Sequence, residues 1–216
     1  MECYFPSFPS HVSDALLDNK KVKFGVKVHP SPNIANSVVE PYNGIHSMHH
    51  TIQSEDFTLL VDNEALYDLC SRSVGIENPS YADINKLIAR ATASVTSSMR
   101  FRGTLNPDLQ ELRTNLVPYS RIHFLVPSFS TSVRTYDAIK GQSQINNLTD
   151  TVFNASNQML KCDPSAGQYM ACSLLYQGMV NPNEVIEAIT KIKARNIVNF
   201  VDWSPTGFKV GINSCP

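Results

Sequence analysis

Val22-Lys23-Phe24-Gly25-Val26-Lys27-Val28-His29-Pro30 is the stretch that sets the fold class. Val22, Phe24, Val26 and Val28 alternate with Lys23, Gly25, Lys27 and His29. That two-residue period predicts a strand with one polar face. Pro30 and Pro32 stop it. Downstream, Val38-Val39 leads into Glu40-Pro41, which opens a helix running past His46. Phe57–Val61 is a short apolar strand, and Asn63 is placed to cap a helix from Glu64 to about Arg72. Strand and helix in alternation predict an α/β fold with a parallel sheet.

The pattern continues outward. Pro79-Ser80-Tyr81-Ala82-Asp83 has the form of a capping box, with Ser80 at the cap and Asp83 three residues on. Ile84, Leu87, Ile88, Ala91, Val95 and Met99 follow at helical spacing. They predict one helix of about twenty residues, central and mostly buried, ended by Gly103. Beyond it, strands are expected at Ile122–Val126, Tyr169–Gln177 and Phe208–Ile212, and a polar loop at Ser128–Gln142. Helices are expected at Thr149–Leu160 and from Asn181-Pro182, the latter with Val185, Ile186, Ile189 and Ile192 inward. Residues 1–80 then form one unit, 81–102 a core helix and 103–216 a mixed α/β unit.

Bulk properties narrow the function classes. The 216 residues are 42% hydrophobic and carry a formal net charge of −1. A nucleic-acid or membrane-surface binder ordinarily shows a basic excess, so neither is expected. No 18-residue apolar run and no signal-peptide pattern are present. Five scattered cysteines read as free thiols of a reducing compartment.

Two constellations could carry chemistry. The first lies in Met99–Tyr119, where Asn106 is a candidate cap and Pro107 suits the first helical position. Asp108 and Glu111 then share one helix face. Acids in a first turn ordinarily complement the helix dipole, and spacing alone says no more than that. The second lies at the strand-to-helix junctions, where open α/β sheets bind ligands. Glu40, Asn63 and Tyr81 stand at three of them, and Asn85 shares a helix face with Tyr81. An aromatic plane beside an amide suits a nucleobase, although caps and core packing explain the same residue types. His46, His49 and His50 lie on a helix without an apparent third metal-ligand type, so a solvated face is the default. The nine glycines form no phosphate-cradling cluster.

Several of these segments, in one order, resemble the α-tubulin family. They are Val38-Val39-Glu40-Pro41-Tyr42-Asn43, Val61–Cys70, Ile76–Asn85, Lys161-Cys162-Asp163-Pro164, Tyr169–Cys172 and Val201–Asn213. Phe101–Glu111 with Thr114–Phe124 resembles the loop and helix by which an α-tubulin subunit touches its neighbour's nucleotide. The resemblance runs from about Val22 to Asn213. It implies the nucleotide-binding sheet of a tubulin GTPase, a core helix and the intermediate domain. It also implies that Glu40 holds a ribose, with Asn36 near the sugar and phosphates, that Asn63 and Asn85 hold guanine, and that Tyr81 stacks on it. Glu111, with Asp108 beside it, is the acid expected to promote GTP hydrolysis on a neighbouring β-tubulin.

The implied function is a cytoskeletal subunit of the cytoplasm that pairs with β-tubulin in the microtubule lattice, with GTP and magnesium as the family's cofactors. The family's glycine-rich phosphate loop and its magnesium contacts have no match, and Tyr4–Ser13 stands where that loop is expected. Any GTPase activity of this chain's own is therefore open, and GTP binding is expected to be weak. The alternatives are a non-enzymatic tubulin-binding or capping protein, or a degenerate gene product. Unpaired strand edges further lead one to expect folding chaperones as partners. Arg102, Asn36, Pro107, Ser165, Ala166 and Gln168 depart from the family pattern, as does Ile139-Lys140-Gly141 in the segment matched to its lateral-contact loop.

Overall fold

A computed structural model describes residues 21–214 except 32, 36, 77, 104, 106, 131–142, 196–197 and 205–206. The expectations placed on Tyr4–Ser13, Asn36, Asn106 and Ile139-Lys140-Gly141 fall outside these residues. The architecture is mixed α/β. In chain order the main elements are β1 (Phe24–His29), α1 (Glu40–Ser54), β2 (Phe57–Asp62), α2 (Asn63–Leu69), α3 (Tyr81–Val95), α4 (Ser97–Arg100) and α5 (Leu109–Leu116). They continue as β3 (Phe124–Leu125), α6 (Ser143–Val152), β4 (Cys172–Gln177), α7 (Pro182–Arg195) and β5 (Phe208–Asn213).

Two parallel sheets result. One has the order β1-β2-β3 and the other pairs β4 with β5. In the first, Phe24 pairs with Phe57 and His29 with Asp62, so both strands end on one edge. Every residue of β2 is buried, as suits the middle strand of a parallel sheet. The core joins Val61 to Leu66, Leu69 and Cys70 of α2 and its continuation, to Ile84 and Leu87 of α3, and to Met159. Beside the second sheet, Phe153, Tyr169, Phe200 and Phe208 form an aromatic group with ring centroids 5.4–6.2 Å apart, three of its contacts edge to face and Tyr169–Phe200 tilted.

Three helices differ from expectation. The long helix stops at Val95 and resumes as the single turn α4 after Thr96. Its hydroxyls turn back on the chain: Thr92 donates to Ile88 O at 2.9 Å, Thr96 to Thr92 O at 2.9 Å and Ser97 to Ser94 O at 2.7 Å. Such back-bonding bends helices and competes with their ladder. Only Ile84 and Leu87 of α3 are fully buried. Second, α6 begins at Ser143 and ends at Val152, earlier than the apolar spacing suggests. Asn157 closes that end by donating to Thr151 O at 2.6 Å. Third, Ile186 of α7 is 63% exposed, while Val185, Ala188 and Ile192 face the core.

Candidate functional site

The carboxyl edge of the first sheet gathers one set of candidates. Asp62 ends β2 and caps α2, its carboxylate accepting from Glu64 N at 3.0 Å. The cap is thus Asp62, and Asn63 is the first helical residue, because the buried carboxylate already occupies the donor end. Burial pushes the Asp62 carboxyl above its ordinary value, against the lowering effect of that hydrogen bond.

Two residues along, Glu64 holds the loop after β1. Ser31 donates its hydroxyl to Glu64, Asn33 donates at 2.9 Å, and Lys161 lies 3.2 Å from the same carboxylate. The hydrogen bonds from Ser31 and Asn33 hold Glu64 below its usual carboxylate range. Lys161 also reaches Asp68 at 2.7 Å, so this cluster ties α2 to the segment before β4.

Asn63 and Tyr67 lie four apart on α2, and Tyr81 and Asn85 four apart on α3, so each pair shares a helix face. The Tyr67 and Tyr81 rings meet edge to face, with centroids 6.5 Å apart. Each ring therefore has an asparagine four residues away on its own helix, and Tyr81 is 70% exposed. Glu40 opens α1 from the loop that leaves the same sheet edge. Tyr67 and the Glu64 clamp were not singled out from the sequence. The four-residue spacing of Tyr67 from Asn63 was the signal available.

The second set lies where α5 meets β5. Asp108 caps α5 with its carboxylate 2.8 Å from Leu109 N, and Glu111 occupies the first turn. The two acids are therefore cap and helix residue, not two residues within one helical turn. Pro107 precedes the cap because it is buried against β5. A side-chain carbon at Gly211 would come within 2.9 Å of the Pro107 ring and 2.8 Å of Leu175 Cδ2. Leu105 and Ile212 exchange backbone hydrogen bonds, with Ile212 N donating to Leu105 O at 2.9 Å. Lys209 of β5 forms an ion pair with Glu111. The Glu111 side chain keeps 43% exposure, so it remains open to an approaching molecule. Lys209 was not anticipated either, because its contact spans 98 residues of sequence.

Among the described residues, no group of three or more His, Cys, Asp or Glu side chains could hold a metal ion. No helix among them is long and apolar enough to cross a membrane.

Comparison with known proteins adds the family. The profile described as the tubulin C-terminal domain matches residues 120–216. "Tubulin alpha chain-like 3" of Mus musculus is 53% identical over 197 residues, which are 91% of this chain and 44% of that one. The Homo sapiens protein of the same description is 50% identical over 198 residues, 92% of this chain and 44% of its own. "Tubulin alpha-1 chain" of Arabidopsis thaliana is 47% identical over 197 residues, again 91% and 44%. The chain spans less than half the length of the curated relatives it matches. About half of its residues agree with theirs over nine-tenths of its length, so the chain is similar to α-tubulin chains throughout that span, and its residues 120–216 match the tubulin C-terminal domain.

Proposed function

We propose that this chain is an α-tubulin-like cytoskeletal subunit that pairs with a β-tubulin chain and presents Glu111 to its partner's GTP. The observation that carries the reading is the placement of Glu111. It sits in the first turn of α5, partly exposed, on a segment anchored to β5 at three points. A carboxylate held there can orient a water molecule and accept its proton as the water oxygen bonds to the γ-phosphorus. The bond from that phosphorus to the bridging oxygen breaks, and the proton passes on to phosphate or solvent. General-base assistance of this kind contributes about 10²–10⁴-fold. Asp108 supports the arrangement as the helix cap.

The residues of this chain also fit half of a nucleotide. Tyr81 offers an exposed ring, Asn63 and Asn85 offer amide donors and acceptors, and Glu40 offers a carboxylate suited to ribose hydroxyls. GTP would be held by its base and sugar. The triphosphate and its magnesium find no corresponding cradle among the described residues.

The test is co-assembly with β-tubulin, followed by measurement of phosphate release per assembled β subunit. Glu111→Ala is expected to leave co-assembly unchanged and to lower release by about 10²–10⁴-fold. Equal release from the two would remove the catalytic assignment and leave Glu111 its dipole and ion-pair roles.

A further inference from the structure

We infer that Lys209 is a positioning residue for Glu111, and that β5 is the platform that aims this acid at the partner's nucleotide. The inference rests on the function proposed above and extends it to a second residue. Three contacts between β5 and the 105–111 segment converge. Leu105 and Ile212 bridge backbone to backbone. Pro107 seats where Gly211 has no side chain. Lys209 pairs with Glu111. Lys209 and Gly211 are two residues apart on one strand, so they present the same face to this segment.

Each contact does something different. The backbone bridge fixes the height of the segment along β5. The Pro107 seat fixes where α5 begins, since Asp108 caps immediately after it. Neither settles the side chain of Glu111, a flexible carboxylate arm in a first helical turn. The ion pair does: an ammonium on the strand holds one carboxylate oxygen and leaves the other for solvent or a partner. The Lys209 and Glu111 side chains keep 32% and 43% exposure, so the pair lies at the rim and not under it. A pair so exposed contributes little to stability, which points to geometry as its use. Lys209 touches neither water nor phosphate in this scheme and acts only through Glu111.

The experiment uses the whole chain co-assembled with β-tubulin, with phosphate release normalised to the pelleted partner. Lys209→Met keeps the bulk and removes the charge. It is expected to lower release about tenfold to a hundredfold, the scale on which a misplaced catalytic group acts. Lys209→Arg is expected to restore most of it, because a cation of similar reach suffices. In a Glu111→Ala background, adding Lys209→Met is expected to change release no further. A role in the fold alone would instead add its own loss there, so the double variant tells positioning from support even if Lys209→Met is less stable. Normal release from Lys209→Met beside a defective Glu111→Ala would overturn the positioning role and leave the function of Glu111 standing. No rescue by Lys209→Arg would also overturn it. Normal release from Glu111→Ala would overturn both.

Discussion

Asp108 and Glu111 differ in what each should cost when removed. Asp108 is the cap of α5, and replacing a capping acid by alanine typically costs about 0.5–2 kcal/mol. Glu111 makes a rim ion pair, and such pairs contribute about 0–1 kcal/mol. Asp108→Ala should therefore lower the denaturation midpoint more than Glu111→Ala, while Glu111→Ala has the larger effect on partner GTP turnover. Urea titration beside phosphate release checks the crossing. If one variant is worse by both measures, the division of labour is wrong. Gly211 gives a second residue-scale expectation. A methyl group there meets Leu175 Cδ2 and the buried Pro107 ring below 3.0 Å, and the Pro107 ring has no rotamer by which to move aside. Gly211→Ala should destabilise the chain by about 1–3 kcal/mol, the usual cost of overpacking. An unchanged melting temperature would mean that Pro107 is not seated as described.

Elements were legible where the cause is local. The alternation from Val22, the Glu40-Pro41 start and the apolar run at Phe57 all produce elements close to the expected bounds. So does the Ser80–Asp83 box, in which Asp83 accepts from Ser80 N at 3.2 Å and from its hydroxyl at 2.7 Å. Where distant contacts decide, the sequence pattern misplaces boundaries. The cap of α5 falls at Asp108 and the helix starts at Leu109 because Pro107 is claimed by β5. The break at Thr96 follows from hydroxyls that an apolar spacing count ignores. The site is divided in the same way. Tyr81 and Asn85 are adjacent by helical spacing, but Tyr67 and Lys209 enter through packing between elements. The capping box also has a pH signature. Hydrogen bonds from Ser80 and Lys86 hold the Asp83 carboxyl down at about 2, below its ordinary 3.8. A folded-state value below the unfolded one stabilises the fold above pH ~4, and that stabilisation is lost as pH falls from about 4 to about 2. Asp83→Asn should flatten the stability profile across that window, lowering stability near neutrality and converging on the parent protein towards pH ~2. Parallel profiles for the two proteins would show that the box does not couple to folding.

At the scale of the whole molecule, two small parallel sheets and several open faces set the behaviour of the chain. The nucleotide contacts proposed for it amount to one stacking ring and a few hydrogen bonds. Stacking is worth about 1–3 kcal/mol and each hydrogen bond about 1 kcal/mol, so roughly 4–6 kcal/mol is available before ordering costs. That corresponds to a GTP dissociation constant of about 1 mM or weaker, and a micromolar constant by isothermal titration would refute the half-site reading. Association is the stronger tendency. Parallel sheets are ordinarily covered on both faces and protected at their edges. Among the described residues, β1 pairs on one side only, and β3 is two residues long. Tyr42 and Ile45, three apart on α1, share a helix face at 66% and 68% exposure, and Val38 just before the helix is 89% exposed. Exposed apolar side chains grouped in this way favour contact with another protein surface. Sedimentation velocity on the purified chain should therefore show a weight-average mass that rises with concentration. Val38→Ser with Ile45→Ser should reduce that rise without lowering the melting temperature, since both side chains stand in solvent. A monomer at every concentration would mean that these faces are covered within the chain itself. A rise unaffected by the two serines would shift the association to the strand edges, where a proline at Val26, in the middle of β1, becomes the discriminating substitution.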